Sequence, residues 1–144
     1  MKVLKSIGEF IEKMTKATFI SIGILIATVI VGFLLYLGIS VAKCEILTLI
    51  HYDEFKDEYL QEEYWIPEIE KFKVISYTKN RAKVYYIEKN YDTGSLVTFV
   101  KKDGKWESKE NWLKWSTVGG NADNEVWPYF WDYEKYWTMK QRQK

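Results

Sequence analysis

The chain has 144 residues, 47% hydrophobic and 28% charged, with a formal net charge of +1. That length holds one small domain and a short extra segment, and the near-balance of charge lacks the basic excess that attracts nucleic acid. A single cysteine, Cys44, excludes an internal disulfide, and a single histidine, His51, leaves too few nitrogen and sulfur ligands for zinc.

Residues 1–16 place Val3, Leu4, Ile7, Phe10, Ile11 and Met14 at helical spacing, with Lys2, Lys5, Lys13 and Lys16 among the polar positions. This reads as an amphipathic cytoplasmic lead-in lying on the inner membrane surface, its lysines near anionic lipid. Residues 17–42 then run for 26 positions without Asp, Glu, Lys or Arg. A helix of that length reaches ~39 Å, against a hydrocarbon core of ~30 Å. The run is therefore expected to be a transmembrane helix in contact with a lipid bilayer, and the lack of ionisable groups within it speaks against a proton or ion path. Gly23 and Ala27, four apart, have the small-xxx-small spacing through which two such helices form a homodimer. Four lysines precede the run, and only Lys43 and Lys56 occupy the stretch of similar length after it. This bias places the N-terminus in the cytoplasm and the C-terminal domain outside, as an uncleaved, single-pass signal anchor in the cell membrane.

Two competing readings concern the end of the span. Ser40 and Ala42 fit a small-x-small cleavage site after Ala42, but a cleaved signal peptide carries an apolar region of only ~7–15 residues. Cys44 stands where a lipid-modified cysteine would, but Lys43 precedes it where a small residue is needed.

Residues 43–144 form the expected extracytoplasmic domain. Segment 44–51 fits a strand or a continuation of the helix, and Thr48 with two isoleucines tilts it to a strand. Asp53 is a candidate N-cap for a helix carrying Phe55, Tyr59, Leu60 and Tyr64 and closing before Pro67. Alternating apolar residues predict strands at 73–77, 82–89, 96–102 and 105–116. A turn at 79–81, a loop at 90–94 and the hairpin signal Asp103-Gly104 separate them. The fold class is α+β: an N-terminal transmembrane helix, then one helix packed on an antiparallel β-meander of about four strands. Cystatin-like and nuclear-transport-factor-like domains share that pattern, an analogy that carries no function.

Nine aromatic residues fall between 112 and 137. The strand Lys83-Val84-Tyr85-Tyr86 and the later Trp115-Ser116…Gly119-Gly120…Trp127-Pro128-Tyr129 resemble small, uncharacterised membrane-anchored proteins of Gram-positive bacteria. The resemblance covers mostly the last two-thirds of the chain and implies architecture alone. Most of these aromatics are expected in the core. Trp127, Tyr129, Trp131, Tyr133 and Trp137 are the candidate binding residues, as a platform for cell-wall glycan or a protein contact. The last three, with Tyr136, lie among Lys135, Lys140, Arg142 and Lys144, a mixture that also suits a membrane interface.

The chemical inventory is short. No Gly-x-Ser-x-Gly, phosphate loop or His-Glu-x-x-His occurs. His51 reads as a surface or packing residue. Loop 119–125 carries Asn121, Asp123 and Glu125 but lacks calcium-loop order, and Gly119 and Gly120 read as a turn. Glu62, Glu63, Glu68 and Glu70 could supply a carboxylate pair, though such clusters are ordinarily a solvated face. The expectation is a non-enzymatic protein without cofactor or metal, binding a protein partner in the cell envelope, with a cell-wall glycan as the alternative ligand.

Overall fold

The computed structural model describes residues 2–56, 68–89, 93–117 and 125–142, with side chains from residue 13 onward except that of residue 140. Helix α1 spans Lys2–Ile50, and the chain divides into two compact units, Met1–Ile39 and Ser40–Lys144. Among the described residues one helical stretch, Lys13–Ile50, is long and apolar enough to cross a membrane, and none of its most apolar window is buried within the protein. The hydroxyls of Thr18, Ser21 and Thr28 each donate to the carbonyl four residues earlier, at 2.9 Å. Those bonds satisfy three hydroxyls that an apolar solvent would otherwise penalise.

In the second unit, the end of α1 is followed by α2 (Tyr52–Phe55), β1 (Ile69–Tyr77), β2 (Arg81–Glu88), β3 (Thr93–Lys102), β4 (Lys105–Ser116) and α3 (Asp132–Arg142). The strands form one antiparallel sheet in the order β1-β2-β3-β4, the predicted meander. The chain is thus α+β. Arg81 opens β2 after a tight turn in which the Thr78 N–H donates to the Arg81 carbonyl at 2.8 Å. Asp103 (φ 50°) and Gly104 (φ 83°) both adopt positive φ between β3 and β4, which matches the twist of paired strands.

Three expectations change. Segment 44–51 is helical, not a strand: Cys44, Leu47 and Thr48 share one helix face and turn it to the sheet, while Ile46, Leu49 and Ile50 stay exposed. Asp53 is not the N-cap of the next helix; that helix starts at Tyr52, His51 holds the cap position without a side-chain bond, and Asp53 sits in the first turn. Helix α3 was not foreseen, although the acids Asp132 and Glu134 in its first turn are a sequence signal for a helix start. The remainder of the helix expected towards Pro67 and the 119–124 loop lie outside the described residues.

The interior strand β2 shows why the core has two parts. Its successive side chains point to opposite faces. Val84 and Tyr86 join Phe55, Phe72, Val74, Val97, Phe99 and Trp106 on one face. Tyr85 and Ile87 join Cys44, Trp115, Val126, Tyr129 and Tyr136 on the other. Each such large apolar side chain contributes ~1.5–3 kcal/mol on burial, which a domain without disulfides needs.

Candidate functional site

β1 is an edge strand of the sheet, and the described residues cover its outer backbone only in part. Near its middle the end of α1 covers it: Thr48 Oγ1 accepts the Val74 N–H at 2.8 Å and donates to the Cys44 carbonyl at 2.6 Å. The Cys44 thiol reaches the Ile75 carbonyl at 3.8 Å. Glu45 pairs with Lys73 and accepts a 2.8 Å bond from the Tyr129 hydroxyl.

Val74 presents its N–H outward, and the register runs unbroken from Phe72 to Val74, so Phe72 also turns its backbone groups outward. No strand lies beside it among the described residues. A groove of about 640 Å³ opens here, lined by Thr48 and Leu49 of α1, Tyr52 of α2, Lys56, and Ile69 and Phe72 of β1. Leu49 is 77% exposed, and the Tyr52 ring leans on Phe72 with centroids 5.3 Å apart. Mainly apolar walls beside edge backbone that has no strand partner among the described residues suit an extended chain better than a small polar substrate.

A polar knot forms around Tyr77, the last residue of β1. His51 Nδ1 meets Glu54 Oε1 at 2.6 Å, and its ring stacks on Tyr77 at 3.5 Å. Glu54 Oε2 accepts from Trp106 Nε1 at 2.8 Å and from the Tyr77 hydroxyl at 3.3 Å. Burial works to raise the Glu54 carboxyl, but its bonds to His51, Trp106 and Tyr77 outweigh it and hold the group below the usual carboxylate range. His51 is thus engaged in packing.

The five aromatic candidates divide. Tyr129 is 4% exposed, so it is a core residue and offers no open ring; its bond to Glu45 explains its burial. Trp131 is half-buried against the second core cluster. Trp127, Tyr133 and Trp137 remain 38%, 40% and 40% exposed. Ring contacts join them in two groups. Trp127 stacks on Phe130 at 6.0 Å, which meets Trp131 at 4.9 Å. Tyr133 meets Trp137 at 6.2 Å and the buried Trp115 at 6.4 Å.

Beneath the second group lies a buried polar relay. Trp115 Nε1 donates to the Tyr85 hydroxyl at 2.5 Å, and the carboxyl of Asp132, the first residue of α3, faces that hydroxyl. Asp132 is 2% exposed, and its Oδ2 has no hydrogen-bond partner among the described residues. Burial pushes the Asp132 carboxyl up, with Lys71 and Lys135 pulling the other way. Burial also draws the Lys71 ammonium down against the opposing pull of Asp132, and it pushes both Tyr85 and Tyr129 well up.

Of the acidic cluster, Glu62 and Glu63 lie outside the described residues, Glu68 pairs with Lys89 in the open, and Glu70 lines the groove. Among the described residues no three of His, Cys, Asp and Glu gather as metal ligands. Sequence reasoning missed the groove residues Leu49, Tyr52 and Phe72, because they come from three elements. It also missed Asp132, whose one signal is an acid at the head of an aromatic helix. Comparison with known proteins finds no family model, no curated protein and no solved structure that matches this chain.

Proposed function

We propose that this chain is a non-catalytic, membrane-anchored module that binds a protein partner in the cell envelope, with its N-terminus in the cytoplasm and residues 43–144 outside. The anchor reading is supported by the long apolar helix and by the excess of lysines before it. The protein-partner reading is carried by one observation, the outward backbone of Phe72 at the floor of an apolar groove. An extended segment of a partner gains main-chain hydrogen bonds from such an edge, and side-chain pockets beside it give selectivity.

The test is photo-crosslinking in intact membranes from Leu49 and from Tyr52, with the exposed Lys83 as control. A discrete protein adduct from the first two positions, absent at Lys83, is the expected result. Equal labelling from all three positions removes the proposal.

A cell-wall glycan is the second reading, favoured by the open faces of Trp127 and Trp137. Sugar rings stack on such faces, and a polymer would bind there without using the groove. Co-sedimentation of the detergent-solubilised chain with purified cell-wall polymer, lost in Trp127→Ala and Trp137→Ala but kept in Leu49→Asp, would establish it.

A further inference from the structure

We propose that α3 is a proton-sensitive latch, docked on the sheet through the Trp115–Tyr85–Asp132 relay and held most tightly when the Asp132 carboxyl is neutral. The geometry carries this. Asp132 begins the helix, is sealed from solvent and faces the Tyr85 hydroxyl, while its Oδ2 has no hydrogen-bond partner among the described residues. An ionised carboxylate with an unsatisfied buried oxygen is costly, and the neutral acid is less so.

The groups facing Asp132 do not cancel that cost. From β1 come Lys71 and Lys73, from β2 Tyr85, from the turn before α3 Tyr129, and from α3 itself Lys135. Lys73 is engaged by Glu45 of α1. The Lys71 ammonium stands 5.8 Å from the centre of the Tyr129 ring and is itself disfavoured by burial. The Lys135 ammonium stands 5.1 Å from the Tyr136 ring centre on an exposed flank.

The sign follows from linkage. The folded site raises the Asp132 carboxyl above its unfolded value, so docking is fully stabilised below the ordinary aspartate value of ~3.9. Docking weakens as pH climbs from there and levels off once pH passes the raised folded value. Because α3 carries Tyr133 and Trp137, loosening it rearranges the exposed aromatic surface.

The experiment is amide hydrogen exchange on the full-length chain in detergent micelles from about pH 4 to about pH 8, expressed as protection factors so that intrinsic exchange drops out. Protection at 136–142 should fall with rising pH, by at most ~tenfold per pH unit for one proton, while amides of β2 and β3 stay level. Asp132→Asn should hold α3 protection flat across the range. Flat protection in the unaltered chain, or an unchanged slope in Asp132→Asn, overturns the proposal. Should Asp132→Asn fail to fold, Tyr85→Phe decides: loss of the donor makes the charged form costlier, so the fall must extend to higher pH, and an unmoved profile overturns the latch.

Discussion

The indole of Trp115 lies so close to Gly94 that a methyl group on that glycine would stand 2.2 Å from Nε1. The two residues are register partners on β3 and β4, so the large ring is seated on the one residue of its partner strand that leaves room for it. Replacement of Gly94 by Ala forces Trp115 aside and breaks its bond to Tyr85. The expected cost is ~1–3 kcal/mol, as for other overpacked cores. Urea unfolding followed by near-ultraviolet circular dichroism measures it, and an unchanged midpoint with an unchanged Trp signal would contradict the seating.

Thr48 ties α1 to the edge of β1. In Thr48→Val the side chain keeps its shape but no longer accepts from Val74, leaving a buried N–H unpaired. A loss of ~1–3 kcal/mol is expected. Thr48→Ser retains the acceptor and should lose less. Thermal unfolding of the two variants in detergent, compared with the unaltered chain, checks the order.

Glu54 links stability to pH in the direction opposite to Asp132. Its carboxyl is held below the usual range in the folded chain, so its contribution is complete above the ordinary glutamate value of ~4.3. That contribution disappears as pH falls through the depressed folded value. Glu54→Gln should therefore lower stability at neutral pH and flatten the acid side of the profile, so that the two chains converge as pH falls. Denaturant midpoints measured down to about pH 3 test this.

The apolar helix makes a prediction independent of the domain. Arginines at Leu25 and Val29, both exposed along α1, should each cost ~2.5–3.5 kcal/mol of membrane insertion. The doubly substituted chain should leave the membrane pellet on alkaline carbonate washing, whereas the unaltered chain stays in it.

Much of the fold is legible in the order of residues. Alternation at 82–89 and 105–116 marks strands because β2 and β4 place side chains on alternate faces, and Asp103-Gly104 marks the hairpin because both residues accept positive φ. Segment 44–51 misled because a short apolar run fits both periods; contact of Cys44 and Thr48 with the β1 edge decides for helix. Helix α3 was hidden because aromatic residues have weak helix propensity, and the packing of Tyr136 on Trp115 at 5.4 Å supplies what propensity lacks.

The sequence by itself determined the solvent preference of the N-terminal helix and the meander of four strands, since both rest on local composition and period. Only the tertiary structure decided which aromatics are core and which are surface, that Tyr129 is spent on Glu45, and that a groove opens beside Phe72. Those outcomes depend on contacts between residues far apart in the chain, such as Glu45 and Tyr129, and no local pattern encodes such a meeting.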